Sequence, residues 1–280
     1  MSDELLAILP IILMAVGAGI LAGLLAKFLD LGLKARSAVQ HFAAGAVLAA
    51  VATGVIPEAQ KTGGLAGVLG GFAAGGLAMI ALKWAVLKYE RRAERKAKQK
   101  LAEGKDKPAN SQEKAAEAKQ RPAAAKGAPA QSQPVGLSVA AALDTLMDGA
   151  IISAGFSSGS QLGTLLAVAL AVELFFLNLS VGSEHRQGQS KGWRGVLITS
   201  GIAAMLLVGA LVGTVLLSGA SPATVAIVLA FGAATLIYLV AEELLVESIE
   251  AEDSLFSTAT LFTGFLVLLA LKMFTDRSGG

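Results

Sequence analysis

The sequence predicts an all-α, polytopic membrane protein, and three observations carry that prediction. Hydrophobic residues make up 54% of the 280-residue chain and charged residues only 16%, with a mean hydropathy of +0.65. The apolar residues come in long unbroken runs rather than at amphipathic spacing. Each run has the length a helix needs, since about 20 residues rising about 1.5 Å apiece cross a hydrocarbon layer roughly 30 Å thick. The net charge of +2 says little, because the basic residues are concentrated in one segment. The chain has no cysteine, so disulfides and thiolate metal sites are excluded. It begins Met-Ser-Asp-Glu without a basic leader, so the first apolar run reads as a retained helix rather than a signal peptide.

Eight spans follow in order, at about 5–27, 38–58, 63–86, 136–157, 160–181, 195–218, 222–247 and 255–274. The chain thus divides into residues 1–96 with three helices, a linker over 97–135, and residues 136–280 with five helices. The linker is a different polymer, rich in Lys, Ala, Gln and Pro, with no aromatic residue and almost nothing to bury. Its first part can extend the third helix; the remainder reads as disordered.

The same segment sets the expected orientation, because basic residues mark cytoplasmic loops. Lys27, Lys34 and Arg36 follow span one, and Arg186, Lys191 and Arg194 follow span five, all on the linker's side if the spans alternate. Trp84, Tyr89 and Trp193 fall at those inner ends, where amphipathic rings anchor. Both termini are therefore expected outside and the long basic loop in the cytoplasm, which in a bacterium means the inner membrane. Glycines repeat every fourth residue at Gly19 and Gly23 and at Gly67, Gly71 and Gly75, a spacing that lets helix backbones approach. Packing within the chain is the expected use, with a dimer interface as the alternative.

The chemistry lies in acids set among apolar residues. Asp144 and Asp148, in "DTLMDG", share one face of span four because four residues make about one turn. Alone in hydrocarbon each would cost several kcal/mol or stay protonated. No Lys, Arg or His lies deep in any span: Lys83 sits near the inner end of span three, and His41 and His185 at or beyond inner boundaries. Glu173 interrupts span five, and Glu242, Glu243 and Glu247 cluster late in span seven. Acids without bases point to a cation from outside the chain. Asp144 lies roughly 12 Å and Asp148 roughly 18 Å from the inner end of span four, and Glu173 about 20 Å from the outer end of span five. Three carboxylates on neighbouring helices can therefore meet near mid-membrane. Asn178 offers an amide oxygen further inward, and Glu242 and Glu243 come about 30 Å down span seven, at the inner mouth. The alternatives are protonated carboxyls bridging helices at Asp144, Asp148 and Glu173, and a solvated interfacial cluster in span seven. Glu58 reads as a boundary acid, and Thr145 and Met147 as packing residues.

Four segments resemble the ZIP (ZRT/IRT-like) family of divalent metal transporters. "DTLMDG" is similar to the family's His-Asn-x-Pro-Asp/Glu-Gly in the fourth span, with Asp144 at the histidine, Thr145 at the asparagine, Met147 at the proline, and Asp148 and Gly149 retained. "ELFFLN" at 173–178 is similar to His-Glu-x-Pro-His-Glu in the fifth, with Glu173 and Leu177 at the histidines and Asn178 at the last acid. The second span ends in a family-like Pro57-Glu58, and Glu242-Glu243 stand at the seventh span's usual His-Glu pair. Every intramembrane histidine of the family pattern is absent, and span six has no acid to complete a second metal site.

The resemblance implies a two-part arrangement, with helices one, four, five and six carrying the site against helices two, three, seven and eight, and a homodimer. The expected protein is a transporter of divalent cations, not an enzyme, with one carboxylate-rich site and alternating access. The expected ligands are Asp144, Asp148 and Glu173, with Asn178 secondary and Glu242 and Glu243 near the exit. All-oxygen donors suit Mn²⁺, Mg²⁺, Ca²⁺ or Fe²⁺ better than the His and Cys sets zinc favours. The transported ion, Zn, Mn, Fe or similar, is the only metal expected, with no cofactor and no nucleic-acid partner. A non-transporting sensor or assembly protein is the alternative. An intramembrane aspartyl protease is the remote one, since its two aspartates would come from different helices.

Overall fold

A computed structural model describes residues 2–29, 33–103, 135–187, 193–244 and 255–278, all helix apart from short connections. Glu247 and the stretch from 104 to 134 lie outside the described residues, as do the side chains of Glu243 and His185. Among the described residues eight long helices run in chain order. They are α1 (Ser2–Ala26), α2 (Leu33–Ala50, continued through Val51–Val55 into Ile56–Thr62), α3 (Gly64–Glu103) and α4 (Val135–Ser158). Then come α5 (Ser160–Gln187), α6 (Arg194–Leu217), α7 (Pro222–Leu239, continued through Val240–Leu244) and α8 (Leu255–Ser278).

Seven of these are long and apolar enough to cross a membrane. The eighth, α4, carries two aspartates, and its 24 residues extend about 36 Å, enough to cross as well. Neighbours shield it: α4 packs against α5, α6 and α7. The chain is a multi-pass integral membrane protein.

Two breaks in regular helix have local causes. Pro57 has no N–H to continue the ladder, and its ring crowds the carbonyl four residues back. The chain absorbs this with one wide turn over Val51–Val55, where the Ile56 N–H reaches back to the Val51 carbonyl. Pro57 then sits in the first turn of Ile56–Thr62, where a missing N–H costs little. Span two therefore continues past the expected end at 58, to Thr62. A second wide turn, Val240–Leu244, follows Leu239 at the end of the described part of α7 and holds Glu242 and Glu243 in its backbone. Between α6 and α7 a tight connection uses Gly219 at φ +76°, and Ser221 caps α7 by accepting the Thr224 N–H at 3.2 Å.

The helices form two groups. In one, α4 packs on α6 and α5, and α1 on α5 and α6; in the other, α2 packs on α8 and α3 on α7, with the end of α2 also on α7. Contacts of α5 with α2 and of α4 with α7 make the seam between them. This is the two-part arrangement that the resemblance implies. The most enclosed span is Ser160–Ser183 of α5, 72% buried, against 17% for the spans of α3 and α8.

Glycine sets how close the helices come. Where α4 crosses α6, a Cβ on Gly149 would overlap the Leu206 carbonyl, and one on Gly209 the Leu146 carbonyl. The α2–α8 crossing is built the same way, with Gly45 against the Leu261 carbonyl and Gly264 against that of Phe42. Gly67, Gly71 and Gly75 of α3 face Ile227 and Phe231 of α7, and Gly19 and Gly23 of α1 face Leu174 of α5 and Thr199 of α6. Both stripes serve packing within the chain. Gly209→Val is expected to lower unfolding stability by about 1–3 kcal/mol through overpacking. Gly201→Ala on the same helix, where a Cβ meets nothing within 4 Å, is expected to be neutral. Thermal melts of the two variants in detergent check the contrast.

Candidate metal centre

The α4–α6 crossing positions the candidate site. Besides Gly149 and Gly209, Ser153 ties the helices by donating to the Ala210 carbonyl of α6 at 2.7 Å and meeting the Thr214 hydroxyl at 3.2 Å. With one side of α4 committed to α6, the helix packs against α5 as well. Asp144, Asp148 and Glu173 converge there. All three are buried, with relative exposures of 7, 4 and 2%, and each offers a carboxylate oxygen within 4.8 Å of the other two.

That separation suits a shared ion. Three atoms no more than 4.8 Å apart lie within about 2.8 Å of a common centre, close to the metal–oxygen distances of 2.0–2.6 Å for hard cations. Ionised together without a cation, each pair at this distance repels by on the order of 3 kcal/mol at an effective dielectric near 20. No Lys, Arg or His occurs in Ser2–Ala26, Val135–Ser158 or Ser160–Ser183, and α6 has only Arg194, at its first position.

Asn178 is placed differently from the three acids. It is fully buried, and its amide nitrogen donates to the Gly19 carbonyl of α1 at 3.1 Å and the Thr199 carbonyl of α6 at 3.0 Å. Two carbonyl acceptors fix the amide orientation, since the flipped form would set oxygen against oxygen. The amide bridges three helices, and its Oδ1 remains buried without a hydrogen-bond partner. No pattern in the residues signals this bridge, which depends on where α1 and α6 run.

Glu242 is not brought into the buried group. It is 38% exposed and pairs with Lys83 of α3, a partner the sequence reading did not assign to it. Glu58 pairs with Lys61 at 2.7 Å, as suits a boundary acid. Thr145 donates its hydroxyl to the Ala141 carbonyl at 2.8 Å and serves α4 itself. His41 is held in the first half of α2, its Nδ1 2.9 Å from the Ser37 carbonyl oxygen.

A cavity of about 480 Å³ opens at the Ser158 end of the molecule, lined by Glu58, Ser153, Ser157, Thr214 and Ser218 among others. Ser153 stands five residues from Asp148, about 7 Å along α4. Hydroxyls and one carboxylate thus lead from the surface to within two helical turns of the acids. Sequence reading missed Ser153 and Thr214, since serine and threonine in an apolar span bond to their own helix as readily as to a neighbour.

The sequence model of the family described as ZIP Zinc transporter matches residues 83–272, more than half of the chain and the stretch that holds Asp144, Asp148, Glu173, Asn178 and Glu242. No curated protein matches the chain.

Proposed function

Because the chain belongs to the ZIP zinc transporter family, a family of transporters and not of enzymes, we propose that it carries divalent cations across the membrane through a single site made by Asp144, Asp148 and Glu173. The observation behind this reading is the convergence of three buried carboxylates from α4 and α5 on one point inside the helix group. A divalent ion relieves their mutual repulsion and accepts their oxygens at once. Asn178 Oδ1 is the next donor inward, five residues along α5 from Glu173. Glu242 and Glu243 stand at the inner mouth, where Lys83 competes with a passing cation for Glu242.

The mechanism we assign is alternating access, by movement of the α1–α4–α5–α6 group against the other four helices. The character of the contacts supports it. Within the groups, the α4–α6, α2–α8 and α3–α7 crossings set glycine against backbone carbonyls. Across the seam, Gly54 of α2 meets the side chains of Leu162 and Leu165, and the atoms nearest Gly232 of α7 belong to the Ile151 side chain. Backbone-to-backbone packing leaves little room to slide, whereas apolar side chains can exchange rotamers. The cavity at the Ser158 end is the outer access in this scheme, with the basic linker cytoplasmic.

Uptake by proteoliposomes from a panel of Mn²⁺, Mg²⁺, Fe²⁺, Cd²⁺ and Zn²⁺ tests the proposal. Saturable flux of at least one ion is expected, and Glu173→Gln should abolish it. Protons compete for the same oxygens, since metal ligation requires carboxylates in their ionised form. Apparent affinity should therefore fall as pH is lowered, without loss of folded protein. Absence of flux for every ion, with metal still bound, would favour a sensor role.

The linker plays no part in the site. Its composition cannot build a core, so deleting about 110–132 is expected to leave uptake within about twofold of the full chain. Loss of folded protein on that deletion would contradict this reading.

A further inference from the structure

Beyond the metal path, α3 carries a second recognisable surface where it leaves the membrane. Its spanning part, Gly64–Lys88, is 17% buried and presents Leu69, Leu77 and Ile80 outward. The apolar face ends in Trp84, 63% exposed, and Leu87, 41% exposed. Within two turns it becomes cationic: Lys88, Arg91, Arg92 and Arg95 follow, against Glu90 and Glu94 in the same stretch of sequence. The Lys88 ammonium lies over the Trp84 ring, 4.4 Å from its centroid. Trp84, Leu87, Lys88, Arg91, Arg92 and Arg95 together line a concavity of about 360 Å³.

We propose that this concavity binds the headgroup of an anionic phospholipid in the leaflet at the Trp84 end. The geometry matches each part of such a molecule. Acyl chains lie along the exposed face of α3, the indole sits at the glycerol level where amphipathic rings partition, and the four cations meet the phosphate. Arginine forks bind phosphate oxygens two at a time, which a diffuse surface potential does not provide. A zwitterionic lipid brings its own ammonium and gains less from the same cations.

The chain provides its own reporter. Its two tryptophans are Trp84 and Trp193, so Trp193→Phe leaves Trp84 alone while keeping a ring beside Lys27. This protein is placed in nanodiscs of phosphatidylcholine with a minor fraction of phosphatidylglycerol, and acyl-brominated forms of one lipid or the other quench the indole. Quenching by the brominated anionic lipid should correspond to a local fraction at least about threefold above bulk. The excess should vanish when Lys88, Arg91, Arg92 and Arg95 are all changed to Gln, and should fall without vanishing when the three arginines alone become Lys, which keeps the charge and loses the paired hydrogen bonds. An excess undiminished by the Arg→Lys change would assign it to surface potential and overturn the headgroup site. Equal quenching by the two lipids in the unaltered cation set would overturn the proposal. So would displacement of the anionic lipid by millimolar inorganic phosphate, which would make this a site for a soluble anion. Failure of either brominated lipid to reach Trp84 would mean that a second copy of the chain covers the face. Each outcome is independent of whether Asp144, Asp148 and Glu173 bind metal.

Discussion

Asp148→Asn is expected to abolish the thermal stabilisation that divalent metal confers, while the metal-free variant melts at or above the metal-free unaltered protein. Both halves follow from the buried triad. A ligand present at about 100 times its dissociation constant stabilises the folded state by about 2.7 kcal/mol. Replacing one of three charged donors by a neutral amide should weaken the site by more than a hundredfold, which removes nearly all of that effect at the same metal concentration. Without metal, the change relieves two repulsive contacts and keeps the side chain's shape, so it should not destabilise. A structural acid gives the reverse pattern: lower stability without metal and an undiminished response to it. Melting curves with and without Mn²⁺ separate the two.

Asp144→His is expected to move ion preference toward zinc by about tenfold or more relative to manganese, because imidazole suits zinc better than manganese whereas carboxylate suits both. Asp144 stands where the family pattern has a histidine, so the substitution restores the donor type while removing one negative charge. The unaltered site offers only oxygen from its three acids, and such sets discriminate weakly among hard divalent ions. Zinc should still bind it, since affinity orders place zinc above manganese for most donors. The expected change is therefore in the ratio, read by competition of the two ions for both proteins. Strong zinc selectivity in the unaltered protein, unchanged by Asp144→His, would mean that the metal sits elsewhere.

The sequence carried the architecture further than the side-chain partners. Eight apolar runs gave eight helices, because in lipid the backbone must satisfy its own hydrogen bonds and length alone fixes what can span. The meeting of Asp144, Asp148 and Glu173 was also legible, since depth along antiparallel helices needs only a rise per residue. Distances across helices are a different matter. That the Asn178 amide reaches Gly19 and Thr199, or that Lys83 finds Glu242, depends on which helices are neighbours and how they are rotated. Pro57 shows the other limit. It read as a terminus, yet a wide turn at Val51–Val55 absorbed the lost hydrogen bond and let the helix continue to Thr62.

Glycine gives the most economical link from sequence to function in this chain. Gly149 follows Asp148 directly, and its missing side chain is what brings α4 against the Leu206 carbonyl of α6. The glycine of "DTLMDG" therefore sets the helix that carries both aspartates, and the acid pair and its support are read in one hexapeptide.

The most direct test of the site is where a bound ion lies. Crystals soaked with Mn²⁺ should show one strong anomalous peak per chain in the membrane interior, within 2.0–2.6 Å of oxygens from Asp144, Asp148 and Glu173 together. A peak elsewhere in the spans, with those three carboxylates out of its reach, would contradict the assignment.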